Sequence, residues 1–226
     1  MRDVRCYTAC YGDYDTPQKI QEPVAWFFGD VDAPAGWIKK SFTAPWWDPL
    51  PSAAKAKCLK IFPWLALGTD WQTCLWLDSN IKWNDHAGLM ADEYKGDFIV
   101  LANDWTDNIN DEFHLCINSD RPYIQDCKPS FVAQQKAYMH VMDTPGIRCG
   151  VMLRRNTPRV FSICHEWLQE FLAWQNWRDQ TPLRKVLHDL NEDVELVPQT
   201  GKKAWKLQFE IIPHEYQKQR RKYRNR

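Results

Sequence analysis

This sequence lacks several features that would assign it to a common functional class. Its 226 residues include 29 basic and 29 acidic side chains, so no overall charge argues for a nucleic-acid or membrane partner. No apolar run approaches the roughly 18 residues of a membrane span, and no signal-peptide core follows Met1. The sequence also has no internal repeat. We therefore expect a cytoplasmic protein without a transmembrane segment.

Cysteine pairs with the spacing of metal ligands are also missing. The eight cysteines are scattered along the chain, several of them within apolar, strand-like runs, and no C-x-x-C pair occurs. This pattern disfavours both a disulfide framework and a zinc site. We expect reduced thiols in the core, where cysteine behaves as a small hydrophobic residue.

Strand-like and helix-like segments alternate along the chain, which predicts an α/β layer architecture. The predicted strands cover residues 4–9, 24–28, 73–77, 97–102, 147–153 and 205–212, and the predicted helices cover 52–62, 130–142, 159–174 and 178–190. Residues 103–129 are polar and aperiodic, which indicates a long functional loop. We expect one domain over residues 1–216. A basic tail, residues 217–226, follows it.

The most informative segment is residues 73–83, TCLWLDSNIKW. Its apolar run is typical of a strand buried on both faces, and it stops at Asp78. A carboxylate at this point lies at the carboxyl edge of the sheet, where open α/β folds bind ligands. Asp78 and Asn80 both offer oxygen atoms, which Mg²⁺ and Mn²⁺ prefer. A capping or turn role for Asp78 is the alternative.

Six segments in this order resemble one known family. They read YTACYGDYD (7–15), WFFGD (26–30), KCLKIFP (57–63), LWLDSNI (75–81), GVMLRRN (150–156) and NWRDQTPLRKVL (176–187). The pattern is similar to a glycosyltransferase-like family, formerly catalogued as a domain of unknown function, of plant, fungal and bacterial cell-wall or glycan proteins. That family is similar to the GT-A nucleotide-sugar transferases. The resemblance implies a single GT-A-like, Rossmann-type domain with a central, mostly parallel sheet.

The chain departs from the family pattern at three places. Lys57 replaces an arginine, which keeps the charge but loses the bidentate fork for phosphate. Pro182 follows Gln180-Thr181 where the family has serine. Residues 103–119 do not reproduce the family's histidine, arginine and paired glutamates. Because acceptor contacts commonly come from such loops, the identity of the acceptor cannot be carried over.

The resemblance implies a set of donor-binding residues. The base would lie at the tip of the first strand, against Thr8, Ala9 and Tyr11, and Asp30 at the end of the second strand would contact the base or ribose. Lys57 and Lys60, on one helix, would contact the diphosphate. The sugar would lie near the late motifs, at Gly150, at Arg154 or Asn156, and at Gln180. Ordinary strand ends, a capped turn and a solvated helix face are the competing explanations.

The resemblance also implies a metal centre and a catalytic carboxylate. Asp78 and Asn80 would hold Mn²⁺ or Mg²⁺, and His214 would complete the ligand set unless it lies in a surface turn after Pro213. Asp179 would act as base, as stabiliser of a positive sugar centre or as ligand for sugar hydroxyls. A plain N-terminal cap of a helix is its alternative role.

The expected function is metal-dependent transfer of a sugar from a nucleoside-diphosphate sugar to an acceptor hydroxyl. The acceptor would be a hydroxymethylated pyrimidine in DNA, because the tail is basic, or else a glycan or protein. Two functions of other classes compete with this one. They are a nucleic-acid-binding module built on the tail and aromatic residues, and a catalytically inactive carbohydrate-interaction protein.

Overall fold

A computed structural model describes residues 4–12, 15–84, 87–103, 106–120, 122–198 and 209–212. Within these ranges the strands are β1 (Val4–Cys10), β2 (Ala25–Gly29), β3 (Ile38–Lys40), β4 (Thr73–Leu77), β5 (Ile81–Trp83), β6 (Phe98–Ala102), β7 (Ile147–Arg155), β8 (Glu195–Val197) and β9 (Phe209–Ile211). Seven of them form one sheet in the order β3-β2-β1-β4-β7-β6-β8, and β5 pairs with β9.

Helices connect the strands. They are α1 (Ser52–Ile61), α2 (Pro63–Leu67), α3 (Ala87–Glu93), α4 (Ile109–Ile117), α5 (Pro122–Gln125), α6 (Lys128–Ala137), α7 (Pro158–Trp174) and α8 (Gln180–Asp189), with a 3₁₀ turn at Met139–Val141. None of the helices in the described ranges has the length and apolar character needed to cross a bilayer.

The predicted fold class is confirmed. The chain is a mixed α/β protein with a mostly parallel, Rossmann-like central sheet: β1 pairs in parallel with β2 and β4, β2 with β3, and β6 with β8. Strand β7 runs antiparallel to β4. Every residue of β4 is buried, as its continuous apolar run predicts.

The chain divides into two compact units. The first unit comprises Met1–Lys95, Gly150–Asn156 and Lys206–Arg226, and the second comprises Gly96–Cys149 and Thr157–Trp205. The N-terminal half of the sheet and helices α1 to α3 belong to the first unit. Strands β6 and β8 and helices α4 to α8 belong to the second.

The strand order of the first unit reverses direction at β1. From β1 the chain adds β2 and then β3 on one side, and it returns to the other side of β1 with β4. The carboxyl ends of β1 and β4 therefore form a topological switch point, because the connections from these two strands leave in opposite directions; we call this place the β1–β4 crevice. Open α/β sheets bind ligands at such a topological switch point.

The second unit is built around apolar helix faces. Trp167 and Phe171 of α7 are buried, and Phe98 of β6 packs against Trp167 with ring centroids 6.3 Å apart. Helices α4 and α6 contribute Phe113 and Phe131 to a second apolar cluster. The buried apolar residues of each helix lie on one face, as expected for a helix that packs against a core on one side.

The prediction of a loop over residues 103–129 is wrong. Helices α4 and α5 lie inside this range, and α6 begins at its end. The side chain of Asn108 accepts a hydrogen bond from the backbone N–H of Asp111 and caps α4, whose residues Ile109 and Phe113 are buried. Short polar stretches on both sides of α4 obscure this one apolar face in the sequence.

Two other predictions concern the cysteines and the last strand. All eight cysteines are free thiols, and seven of them are buried, as expected. The predicted strand over residues 205–212 is present as β9, although residues 201–208 lie outside the described residues. His214 and the basic tail, residues 217–226, also lie outside them.

Candidate functional site

Asp78 lies at the carboxyl end of β4, at the edge of the β1–β4 crevice. Its Oδ1 atom accepts hydrogen bonds from Lys60 Nζ at 2.9 Å and from Trp76 Nε1 at 2.8 Å. The side chain is 36% exposed, whereas that of Lys60 is 5% exposed. One oxygen of the carboxylate is thus held by buried donors while the group still reaches solvent.

The second oxygen of Asp78 faces a glycine. A Cβ atom added at Gly150 would lie 3.4 Å from Asp78 Oδ2, and the backbone N–H of Asp78 donates to Gly150 O at 2.8 Å. Within the described ranges Oδ2 has no hydrogen-bond partner. The missing side chain at Gly150 therefore leaves room beside an oxygen that can bind a hard cation.

Asn80 ties the loop after β4 to the end of β9. Its Nδ2 donates to Ile212 O at 2.8 Å, and its own backbone carbonyl accepts from Ile212 N at 2.9 Å. The side chain is 5% exposed. The amide nitrogen is committed to this bond, so Oδ1 is the atom that Asn80 has left to offer. His214 follows Ile212 by two residues in the sequence.

The loop after β1 is held by two carboxylates. Asp30, just past β2, accepts from the backbone N–H of Gly12 at 2.9 and 3.0 Å, and Asp15 accepts from Ser79 Oγ at 2.9 Å. Gly12 has φ +71°, which favours glycine. Burial, followed by the nearby Asp30 charge, raises the pKa of Tyr11. Asp30 thus has a structural contact and remains exposed.

Three predicted donor-binding residues are deeply buried in the first unit. Thr8 is 1% exposed, Ala9 is 4% exposed and Arg154 is 0% exposed. Arg154 hydrogen-bonds to Tyr7 Oη, and it donates to Ile61 O at 3.0 Å. Since Arg154 pairs with Cys74, near the start of β4, it lies towards the opposite end of that strand from Asp78. These positions favour a role in the fold for all three.

Lys57 and Lys60 lie on the same helix but have different surroundings. Lys60, in the last turn of α1, is buried against Trp76 and Asp78. Lys57, one turn earlier, is partly exposed. Lys60 is therefore the cation that α1 brings to the crevice edge.

In the second unit, Asp179 occupies the N-cap position of α8 without capping it. No cap hydrogen bond comes from its side chain, which is buried at 3% exposure. Its backbone carbonyl accepts from Trp167 Nε1 at 2.8 Å, which fixes the start of the helix to α7. The alternative of a plain side-chain cap is therefore wrong for Asp179.

Polar side chains of the second unit meet in a small cavity beside α8. Glu112 of α4 is 4% exposed and accepts from Arg178 Nε at 2.7 Å and from Asn103 Nδ2 at 3.4 Å. Gln180 and Arg184 line the same cavity. Within the described part of the chain, Gln180 Oε1 and Arg184 Nη2 are buried without hydrogen-bond partners. Burial lowers the pKa of Arg184.

Three side chains of the types that bind metal ions lie close together on the surface of the second unit. His140, His188 and Asp189 have candidate ligand atoms within 4.8 Å of one another, and no other described group of three does. All three are exposed, and Asp189 already pairs with Lys185 at 2.8 Å. This group is distinct from the residues predicted to bind a metal.

Some residues near these sites were not indicated by the sequence, and the structure reveals them. Trp76 lies two positions before Asp78, so strand periodicity alone could have placed both on one face. The Glu112–Arg178 pair joins residues 66 positions apart, and no local pattern in the sequence signals it.

Comparisons of the sequence with family models and with curated proteins gave no match.

Proposed function

We propose that this chain is a glycosyltransferase that takes its sugar from a nucleoside-diphosphate sugar with the help of Mn²⁺ or Mg²⁺. The observation that carries the proposal is the position of Asp78 at the β1–β4 switch point, with Oδ2 beside Gly150 and without a hydrogen-bond partner among the described residues. Nucleotides bind at such crevices in Rossmann-like sheets. The order of the six sequence motifs supports the same function.

The residues around Asp78 fit a cation that is shared with a diphosphate. Mg²⁺ is usually held by one or two carboxylates together with substrate phosphates, rather than by a complete protein cage. Asp78 supplies one carboxylate, Asn80 an amide oxygen, and His214 is the proposed third ligand. When bound, the metal would neutralise charge on the departing nucleoside diphosphate.

The chain's own residues have separate proposed tasks. Lys60 brings a buried positive charge to the diphosphate, and Tyr11 and Gly12 border the crevice where the nucleoside would bind. Gly150 permits close approach to Asp78. On the order of the sequence motifs alone, we propose Asp179 as the catalytic carboxylate and Gln180 as a sugar contact. The acceptor is a hydroxyl, for which we propose hydroxymethylated DNA, with a glycan or protein as the alternative.

Calorimetry with a panel of nucleotide sugars tests this proposal. With Mn²⁺, at least one donor should bind the wild-type chain, and EDTA should weaken that binding. Asp78→Ala and His214→Ala should remove the metal-dependent part. Asp70→Ala is the matched control, because Asp70 is an exposed carboxylate of the same unit in a 3.5 Å pair with Arg5.

Two results would contradict the proposal in different ways. Equal donor affinity with Mn²⁺ and with EDTA would exclude the metal, while no binding of any nucleotide sugar would exclude the transferase. Gly150→Ala refines the test, since its methyl group would narrow the space beside Oδ2 at a tolerated 3.4 Å contact. We expect this variant to fold and to bind the donor with reduced metal dependence.

A further inference from the structure

Lys60 is a buried cation whose ammonium group lies on the carboxylate proposed to bind the metal. Its side chain is 5% exposed, and Nζ lies 2.9 Å from Asp78 Oδ1. The ammonium also lies 5.9 Å from the centroid of the Trp76 ring, over its face. A lysine so far removed from solvent needs a negative partner, and Asp78 is one at 2.9 Å.

The backbone and side chains around Lys60 hold it in this position. Tyr7 Oη donates to the backbone carbonyl of Lys60 at 3.4 Å, and the Tyr7 and Trp76 rings pack edge to face at 5.1 Å. Arg154 hydrogen-bonds to Tyr7 Oη and to the carbonyl of Ile61. The end of α1 is therefore fixed against β1, β4 and β7 of the first unit.

The pair has a consequence for any cation that approaches Asp78. With Lys60 in place, the carboxylate is already neutralised, and a divalent ion at Oδ2 meets a like charge on the far side of the same group. A diphosphate offsets this repulsion between the divalent ion and the Lys60 ammonium, because its negative charges attract both of them.

We propose that Lys60 makes metal binding at Asp78 conditional on the diphosphate of the donor. In the free chain, Lys60 competes with the metal for Asp78. When a nucleoside diphosphate binds, the ammonium gains phosphate oxygens as partners, and the metal binds Asp78 together with the ligand. This inference rests on the proposed function, and it assigns Lys60 as a positioning residue that couples the two ligands.

The proposal implies a measurable coupling between the binding of the metal and the binding of the diphosphate. If the diphosphate raises the affinity for the metal by some factor, the metal raises the affinity for the diphosphate by the same factor. Lys60 contributes to this coupling by weakening the binding of the metal alone. Loss of its charge should therefore strengthen the binding of Mn²⁺ to the free chain and weaken that of the diphosphate.

The test measures Mn²⁺ binding by electron paramagnetic resonance and calorimetry. The full chain is titrated with Mn²⁺ alone and with Mn²⁺ in the presence of UDP, GDP, ADP or dTDP. Lys60→Met removes the charge and keeps the apolar stem. Lys60→Gln removes the charge and keeps a donor for Asp78. Lys82→Met is the matched control, because Lys82 forms a 3.2 Å pair with Glu210 at the surface of the same unit.

We expect both Lys60 variants to bind Mn²⁺ alone about tenfold more tightly than wild type, while the control is unchanged. The diphosphate should raise the Mn²⁺ affinity of the wild type more than that of either variant. Unchanged Mn²⁺ affinity in a folded Lys60 variant overturns the proposal. So does wild-type protein in which Mn²⁺ and the diphosphate bind without coupling, a measurement that needs no variant. Wild type that binds neither Mn²⁺ nor any diphosphate instead contradicts the proposed function itself.

Discussion

At the scale of single residues, the surroundings of a side chain separate roles that its type leaves open. Aspartate is a common helix cap, a metal ligand and a catalytic base, and this chain offers several aspartates at suitable positions. Asp30 accepts from a loop N–H, one oxygen of Asp78 accepts from Lys60 and Trp76, and Asp179 is buried at a helix start. Asp78 and Asp179 are the two for which we propose a part in the reaction.

Asp179→Asn should separate chemistry from folding. The replacement keeps the shape of the side chain, and Asp179 makes no side-chain cap hydrogen bond that would be lost, so we expect the unfolding midpoint to change little. Sugar transfer should fall by about 10² or more if the carboxylate acts as an acid–base group. The measurement is steady-state turnover beside thermal unfolding.

Asp189→Asn is the control for this experiment, because Asp189 is an exposed acid at the other end of the same helix. Turnover of the Asp179 variant within a few-fold of the wild-type rate would reduce Asp179 to a structural role.

At the scale of elements, contacts between neighbouring strands set requirements that no single segment reveals. Strands β1 and β2 pair in parallel, with Cys10 opposite Gly29. A Cβ atom at Gly29 would lie 2.0 Å from the carbonyl oxygen of Cys10, far closer than any real contact. The glycine is therefore needed for the close approach of the two backbones.

Gly29→Ala should destabilise the protein by about 3 kcal/mol, because the two strands must move apart to admit the methyl group. Urea unfolding measures the loss. Gly150→Ala, also in a strand, is the control, since its Cβ would meet its nearest atom at 3.4 Å. Similar stability of the two variants would show that β1 and β2 separate easily.

Helices α6, α7 and α8 are joined by Glu170. It accepts from Tyr138 Oη at 2.7 Å, from Trp174 Nε1 at 2.6 Å and from Lys185 Nζ at 3.1 Å. Burial raises the pKa of Glu170, but the hydrogen bonds from these three partners outweigh it, so the pKa is lowered overall. The folded state therefore favours the ionised form.

Glu170→Gln should cost about 1–3 kcal/mol at pH 7, because charge-assisted hydrogen bonds are lost. A lowered folded-state pKa stabilises the protein above the ordinary glutamate pKa, and that gain is lost as the pH falls through the folded-state pKa. The stability gap between wild type and variant should thus narrow in acid. Urea titrations at pH 7 and at lower pH measure it.

Glu166→Gln serves as the matched control, since Glu166 lies one turn earlier in α7 and is an exposed acid paired with the exposed His165. A gap for Glu170→Gln that stays constant with pH would rule out the proposed effect of the charge.

At the scale of the whole molecule, charge is balanced in total and uneven along the chain. Six cations, Lys218, Arg220, Arg221, Lys222, Arg224 and Arg226, end a chain with 29 basic and 29 acidic residues. A basic segment attracts a polyanion even when the protein is neutral overall. A solvated tail without a partner is the alternative.

Deletion of residues 218–226 should weaken binding to DNA and flatten its dependence on salt, because fewer counterions are released. The logarithmic salt slope should fall by up to about 5 for six cations. Fluorescence anisotropy with duplex DNA, with and without hydroxymethylated pyrimidines, measures it at several salt concentrations. Donor affinity should not change. Full-length protein without salt-dependent DNA binding would leave a glycan or protein as the acceptor.

The sequence by itself determined the α/β class, the buried strand β4 and the carboxylate at its end. These follow from local patterns, because a continuous apolar run and its polar stop are visible within a few residues. It also indicated the four helices α1, α6, α7 and α8, but it missed α2, α3, α4 and α5, which have nine residues or fewer and show only short apolar patterns. For Thr8 and Arg154, only the order of the family's sequence motifs predicted a contact with the donor. Both side chains are buried in the structure.

Only the tertiary structure decided which groups meet. Lys60 and Asp78 are 18 residues apart, Arg154 and Tyr7 are 147 apart, and Glu112 and Arg178 are 66 apart. The first two pairs depend on the strand order, which brings β4 beside β1 and sets β7 antiparallel to β4. Burial and hydrogen bonding are properties of that arrangement, so a single segment cannot encode which oxygen of Asp78 accepts from Lys60 and Trp76.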